Sequence, residues 1–103
     1  MGKAQRDKGA RFERAVVNLA SAYHLDARRT APNQTQDGDA EFADVRVAGR
    51  RVECKHRQCI GAYLWQWLGD HDALVIKRDG APALAVIPLA DWLELIGGKL
   101  EAE

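Results

Sequence analysis

Residues 43–56 read A-D-V-R-V-A-G-R-R-V-E-C-K-H and predict two short β-strands joined by a tight turn at Ala48 and Gly49. Apolar and polar residues alternate on both sides of this turn, as they do on half-buried strands. Because successive side chains of a strand point to opposite faces, Glu53 and Lys55 share one face of the second strand. The hairpin therefore presents a carboxylate and an ammonium group side by side.

The length of the turn decides which residue faces Glu53 from the first strand. With two turn residues, antiparallel pairing sets Val45 opposite Val52 and Asp44 opposite Glu53. Two carboxylates and the Lys55 ammonium then converge on one patch. One additional turn residue would move Asp44 and Glu53 to opposite faces, unless a bulge restored the register. Any site at this hairpin therefore depends on the register.

The length and composition are those of one small globular domain covering residues 1–103. We expect residues 1–7 and 99–103 to be frayed, and the small size favours a homodimer. No apolar run approaches the roughly 20 residues of a membrane span, and the basic N-terminus lacks the apolar region of a secretion signal. Cys54 and Cys59 are too close in sequence for a disulfide framework, so we expect reduced thiols and a cytoplasmic location.

Charge is segregated along the chain although the formal net charge is zero. Residues 1–29 contain seven Lys and Arg residues but only three Asp and Glu residues, and five further basic residues surround Glu53. This segregation permits a basic nucleic-acid-binding face on a neutral molecule, although a solvated charged surface is the alternative.

Helical periodicity marks the first part of the chain. The spacing predicts an amphipathic helix over residues 8–24, with this apolar stripe: Phe12, Val16, Leu19 and Tyr23. Glu13 lies about 100° round the helix from Phe12, at the edge of the stripe. It is therefore either a solvated glutamate or a side chain that leans over a cleft beside the core.

A short strand within residues 25–31 and a turn-rich loop over 32–42 are expected next. The loop contains three acids at alternating positions: Asp37, Asp39 and Glu41. They lack the remainder of the twelve-residue calcium-binding pattern, so we assign no calcium site to them.

The second half predicts one helix over 60–68, stopped by Gly69, then a hairpin formed by 73–77 and 83–87 and a last helix starting at Pro88. Trp65 projects away from the apolar stripe of the 60–68 helix, which favours a place at an interface. The predicted order is α-β-β-β-α-β-β-α, an α/β fold with one mixed sheet of about five strands flanked by helices.

A soft metal site is the first alternative at the hairpin. Cys54, His56 and Cys59 have a C-x-H-x2-C spacing, but structural zinc usually takes four ligands and no fourth is evident. We therefore disfavour this site and explain Cys54 as a small core residue behind the Glu53 and Lys55 face.

The order Glu13, Asp44, Glu53-x-Lys55 resembles that of the PD-(D/E)XK nuclease superfamily, although Ala43 stands where the motif expects proline. Within this superfamily, four stretches look most like the Holliday-junction resolvases of archaea and phages: K-G-A-R-F-E-R at 8–14, R-T-A at 29–31, A-D-V at 43–45 and V-E-C-K at 52–55. The similarity spans most of the chain and implies a restriction-endonuclease-like core.

The resemblance implies a catalytic set of Glu13, Asp44, Glu53 and Lys55. Asp44, Glu53 and the backbone carbonyl of Cys54 would hold Mg²⁺, with Mn²⁺ as a substitute, because hard cations prefer oxygen ligands. Glu13 would hold a second metal ion or act through a water molecule. Lys55 would position or deprotonate the attacking water and stabilise the transition state.

The activity that follows is magnesium-dependent, structure-selective cleavage of four-way or other branched DNA by a homodimer in a bacterial or archaeal cytoplasm, with a cellular or a phage origin. The alternatives are a repair, restriction or flap nuclease of the same superfamily and a non-catalytic DNA-binding protein on the same fold. The candidate DNA-binding residues are Lys8, Arg11, Arg14, Arg28, Arg29, Thr30, Arg46, Arg51 and Arg57. Thr30 and Arg29 enter this set through the resemblance.

Overall fold

The computed structural model describes residues 3–30 and 44–100. Along them the elements are α1 (Lys3–Ala22), β1 (Ala27–Arg29), β2 (Val45–Val47), β3 (Arg50–Val52), α2 (Tyr63–Leu68), β4 (Leu74–Ile76), β5 (Leu84–Val86) and α3 (Leu89–Leu95). The predicted α/β class and the order α-β-β-β-α-β-β-α are confirmed for these residues. The predicted loop 32–42, with Asp37, Asp39 and Glu41, lies outside the described residues.

Helix α1 begins at Lys3 and not at the predicted residue 8. Residues 3–7 contain no large apolar residue that would extend the stripe, so periodicity could not place this first turn. An ion pair of 3.0 Å between Lys3 Nζ and Asp7 Oδ2 spans it at the favourable i,i+4 spacing. The fraying expected for residues 1–7 concerns motion and stays a prediction. The predicted stripe itself is confirmed, since Val16 and Tyr23 are buried.

Strands β1, β2 and β3 form one antiparallel sheet in that order. The β2–β3 register is the predicted one, with the pairs Val45–Val52, Arg46–Arg51 and Val47–Arg50. Ala48 and Gly49 have φ values of 50° and 80°, the backbone of a two-residue turn whose twist suits a hairpin. However, β3 ends at Val52, so Glu53 and Lys55 follow the strand instead of lying on it.

The core lies between α1, β2 and α3. Val45, Val47 and Leu93 are fully buried, and α1 contributes Val16 and Ala20 to the same cluster. Burying an aliphatic side chain of this size contributes about 1.5–3 kcal/mol. The inward positions of β2 thereby fix which face of the hairpin is turned away from solvent.

Strands β4 and β5 form a separate antiparallel pair, so the predicted single mixed sheet of about five strands was wrong. The apolar runs and the turn between them predicted the β4–β5 hairpin correctly. They did not indicate which other strand, if any, this hairpin would pair with. β3 offers a short edge with exposed Arg50 and Arg51, which disfavours pairing with an apolar strand. On the β4–β5 hairpin, Val75 and Leu84 are 68% and 64% exposed.

Helix α2 starts at Tyr63, three residues later than predicted, and ends at Gly69 as predicted. Its apolar stripe is only partly covered, because Leu64 and Leu68 are half-buried whereas Tyr63 and Trp67 are exposed. None of the helices in the described ranges combines the length and the apolar character needed to cross a membrane.

Helix α3 follows Pro88 as predicted, and the chain then returns to α1. The N–H of Gly98 donates to the carbonyl of Leu93 at 2.8 Å, and that of Lys99 to the carbonyl of Tyr23 at 2.9 Å. The backbone of Lys99 is therefore hydrogen-bonded to the end of α1, and the fraying expected for residues 99–103 stays a prediction. Residues 101–103 lie outside the described part.

Candidate functional site

Asp44 immediately precedes β2 and is half-buried. Its Oδ2 accepts a hydrogen bond of 2.9 Å from the backbone N–H of Cys54, just beyond β3. Its backbone carbonyl accepts a second bond of 3.1 Å from the N–H of Thr30, after β1. Asp44 thus links the ends of all three strands, and the predicted convergence of its carboxylate with that of Glu53 stays a prediction.

The pKa of the Cys54 thiol is raised by the environment around Asp44. Burial raises its pKa to about 11, and three carboxylates add to this effect: Asp44, Glu13 and Glu53. Negative charge near a thiol disfavours the thiolate. The three predicted acidic residues therefore all act on one side chain, and a cation near Cys54 would be favoured electrostatically.

Glu13, on α1, is held by Arg29 on β1. Both Nε and Nη2 of Arg29 lie 3.0 Å from Oε1 of Glu13, and the two side chains are only 20% (Glu13) and 35% (Arg29) exposed. The sequence assigned Arg29 to DNA contacts and did not predict this pairing, because it depends on how α1 packs on the sheet. Arg29 therefore neutralises Glu13 at the edge of the site.

Glu53 and Lys55 form an ion pair of 3.0 Å, as expected for residues that share a face. Both side chains are 58% exposed, and such pairs contribute little to stability. The Glu53 carboxylate is therefore turned to Lys55 at the surface, and it is less enclosed than Glu13 or Asp44.

An open cavity of about 300 Å³ joins most of these groups. Its lining includes Glu13, Asp44, Cys54 and Lys55, together with three arginines: Arg6, Arg29 and Arg57. The four cationic side chains outnumber the two carboxylates, which favours an anionic ligand. Glu53 does not belong to this lining.

Arg6 was not predicted as a site residue. It lies seven positions before Glu13, and residues with this spacing share a helix face. That spacing was the available signal, but residues 1–7 had been expected to be frayed. Gly9 and Ala10 also line the cavity between these two residues, so this face of α1 carries short side chains beside the charged ones.

The predicted DNA-binding residues are distributed over a wider surface. Arg29 and Arg57 line the cavity, whereas the lining does not include Lys8, Arg11, Arg14, Arg28, Arg46 or Arg51. Arg11, Arg14 and Arg28 are exposed, while Arg46 and Arg51 lie opposite each other across β2 and β3. The backbone of Thr30 is bonded to Asp44 beside the cavity.

The donor set fits a hard cation by its chemistry, since carboxylate and carbonyl oxygens are the ligands of Mg²⁺. Within residues 3–30 and 44–100, no three His, Cys, Asp or Glu side chains are gathered closely enough to hold a metal ion. Glu13 and Glu53 are instead paired with Arg29 and Lys55. The set of Asp44, Glu53, Glu13 and the Cys54 carbonyl therefore stays a prediction, and binding would require these ion pairs to open.

Fold and site together define an α/β protein with a cleft lined by carboxylates and cations. Comparison of the chain with protein-family models, with curated proteins and with solved structures gives no match in any of the three.

Proposed function

We propose that this protein is a metal-dependent endonuclease that hydrolyses phosphodiester bonds in branched DNA such as a four-way junction. The observation that carries the proposal is the cavity in which Glu13 and Asp44 meet Lys55 and several arginines. Carboxylates can hold a cation, and the arginines can bind the flanking phosphates. The resemblance to PD-(D/E)XK nucleases supports the same reaction.

Mg²⁺ would be held by Asp44, Glu53 and the backbone carbonyl of Cys54, with Glu13 as ligand of a second ion or of a water molecule. When bound, the cation supplies charge neutralisation on the phosphate and lowers the pKa of water. The hydrogen bond from the Cys54 N–H orients the Asp44 carboxylate before any ligand arrives. Orientation of this kind reduces the reorganisation needed at the reacting phosphate.

Lys55 has two roles in this proposal. Its ammonium group lies in the cavity lining and would stabilise negative charge developing on the phosphate. It would also orient or deprotonate the attacking water. Arg57, in the same lining, would bind a neighbouring phosphate and hold the strand in place.

The proposed assembly is a homodimer in the cytoplasm. Three exposed apolar side chains that line one cavity support a partner surface: Tyr63, Trp67 and Leu84. Large apolar residues grouped in this way commonly mark protein interfaces. Two active sites related by a two-fold axis suit paired cuts in a four-way junction. Within the α/β class, the order α-β-β-β-α-β-β-α supports the more specific proposal of a restriction-endonuclease-like core.

The test is a nicking assay in Mg²⁺ on a four-way junction and on linear duplexes of the same sequence. The parent is compared with Asp44→Asn and Lys55→Ala, and with Lys77→Ala as a control lysine outside the cavity. We expect junction cleavage by the parent and by Lys77→Ala, and loss of cleavage in the other two variants. Addition of EDTA should abolish cleavage.

Three outcomes would redirect the proposal. Equal cleavage of junction and linear duplex would remove the junction preference, and flap or nicked substrates would then separate the other nuclease types. Full activity of Asp44→Asn would remove the mechanism. Junction binding without cleavage in Mg²⁺ or Mn²⁺ would favour a DNA-binding protein.

A further inference from the structure

A second groove, of about 480 Å³, adjoins the carboxylate cavity. Lys55 and Arg57 line both spaces, so the two adjoin at these residues. The remainder of the groove is formed largely by aromatic and aliphatic side chains: Phe12, His56, Ile60 and Trp65. Its volume lies within the range of roughly 300–1,000 Å³ typical of sites for small organic ligands.

The aromatic residues give the groove two walls. The rings of Phe12 and His56 are 5.4 Å apart between centroids and inclined at 58°, a contact that fixes His56 against α1. Trp65 lies on α2 and is 63% exposed. This is the tryptophan that does not fit the apolar stripe of its helix. A planar ligand can therefore reach its indole ring without displacing the core.

The charge of the groove restricts the ligand further. Among the described residues that line it, Lys55 and Arg57 are basic and none is Asp or Glu. A ligand that complements this lining is anionic at one end, towards Lys55 and Arg57, and planar and apolar at the other, towards Trp65. A nucleotide has this distribution of properties.

We infer that this groove binds an unpaired base of the DNA strand whose phosphate occupies the adjoining carboxylate cavity, with the base stacked against Trp65. The inference rests on the proposed function and specifies its substrate class: DNA that offers an unstacked base beside the cleaved bond. Removing a base from an intact duplex costs a few kcal/mol, whereas a branch point or a single strand already provides one. The aromatic groove therefore favours branched over continuous duplex DNA.

The experiment measures binding without cleavage, in EDTA. A fluorescently labelled oligothymidine of about ten nucleotides is compared by anisotropy with a strand of the same length made of abasic residues. Because stacking of a base is worth about 1–3 kcal/mol, Trp65→Ala should weaken oligothymidine binding roughly tenfold. Trp65→Phe should retain most of the affinity. The abasic strand should bind Trp65→Ala and the parent equally.

Leu95→Ala is the control, since Leu95 is an apolar residue that is 74% exposed on α3 and lies outside this groove. It should bind oligothymidine like the parent. The inference is overturned if Trp65→Ala and Leu95→Ala lose affinity equally, or if Trp65→Ala loses it for both strands. It is also overturned if Trp65→Ala keeps its affinity but no longer self-associates on size-exclusion chromatography, because a second copy of the chain would then occupy the groove.

Failure of this inference is distinguishable from failure of the proposed function. Junction cleavage by the parent in Mg²⁺, combined with unchanged oligothymidine binding by Trp65→Ala, would remove the base site and leave the nuclease. Trp65-dependent binding by a parent that cleaves no DNA would support the base site and remove the hydrolysis.

Discussion

The Asp44 carboxylate and the Cys54 backbone N–H are joined by a hydrogen bond of 2.9 Å across the open end of the β2–β3 hairpin. Asp44 precedes β2 and Cys54 follows β3, so a side chain continues the pairing after the backbone ladder has ended. This bond fixes one carboxylate oxygen relative to the Glu53-Cys54 backbone. Its partner is a backbone group, so the orientation of the carboxylate does not depend on another side chain.

Asp44→Asn and Asp44→Ala should separate the structural role of this bond from the catalytic one. Asparagine keeps an oxygen that accepts from the Cys54 N–H, so its free energy of unfolding should stay within about 0.5 kcal/mol of the parent's, whereas alanine should lose about 1–2 kcal/mol. Both variants should cleave DNA at least ~100-fold more slowly, because a neutral side chain is a poor ligand for Mg²⁺. Urea denaturation and nicking rates measure the two effects, and wild-type activity of the asparagine variant would contradict the assignment.

The Glu13–Arg29 ion pair should contribute measurably to stability. Its side chains are 20% and 35% exposed, against 82% and 49% for the Lys3–Asp7 pair on the same helix. A double-mutant cycle with Glu13→Gln and Arg29→Met should therefore give a coupling of about 1 kcal/mol. The cycle with Lys3→Ala and Asp7→Ala should give less than ~0.5 kcal/mol. Equal couplings in urea denaturation would show that the enclosure of Glu13 has no energetic consequence.

Lys55→Ala should affect activity but not stability. Its ion pair with Glu53 is exposed on both sides, so the melting temperature should remain that of the parent. Loss of a cation that stabilises charge in the transition state should slow nicking roughly 100- to 1,000-fold. Lys55→Arg distinguishes the two proposed roles, since arginine keeps the charge but cannot act as a base. Partial recovery by arginine indicates charge stabilisation, and activity at the alanine level indicates proton transfer.

The reactivity of Cys54 should depend strongly on pH. Burial and the surrounding carboxylates raise the pKa of this thiol to about 11, which leaves roughly one thiolate in a thousand at pH 8. In a Cys59→Ser background without metal, alkylation by iodoacetamide should accelerate about tenfold per pH unit from pH 8 to pH 10. Unfolding in urea should accelerate it at pH 8, because the ordinary pKa of a thiol is lower. A plateau below pH 9 in the folded protein would contradict the raised pKa.

The hairpin could be predicted from sequence because its information is local. Alternating apolar residues and a two-residue turn leave one register that buries Val45 and Val47, and this register is observed. The same holds for the β4–β5 hairpin. The separation of β4–β5 from the three-stranded sheet could not be predicted, since strand periodicity does not specify which strand pairs with which.

The candidate site was also predictable only where it depends on the local hairpin register. Asp44, Cys54 and Lys55 follow from the register, whereas the Glu13–Arg29 pair depends on the packing of α1 against β1, which no sequence spacing reveals. The direction of the Glu53 side chain depends on where β3 ends. Alternation along a continuous strand placed Glu53 beside Asp44, but the chain leaves the strand after Val52.

The Ala48-Gly49 turn, which fixes the β2–β3 register, contains one position at which a substitution should increase stability. Ala48 has a φ of 50°, and this left-handed conformation costs a residue with a Cβ roughly 1–2 kcal/mol. Ala48→Asn should relieve part of this cost, because asparagine tolerates the conformation and Asn-Gly is favoured in such turns. The hydrogen bond of 2.7 Å from the Ala48 N–H to the carbonyl of Asp26 involves backbone atoms only and is retained.

We therefore expect Ala48→Asn to raise the free energy of unfolding by about 0.5–1 kcal/mol with no effect on cleavage, and Gly49→Ala to lower it by about 1 kcal/mol. Insertion of one alanine after Gly49 is the sharper change, because a shift of one residue turns Asp44 away from the Cys54 N–H. The insertion should abolish cleavage even where circular dichroism shows a folded chain. Cleavage that survived it would mean that the Asp44 side chain is not required beside the Cys54 backbone, and the proposed centre would then have to be assigned to other residues.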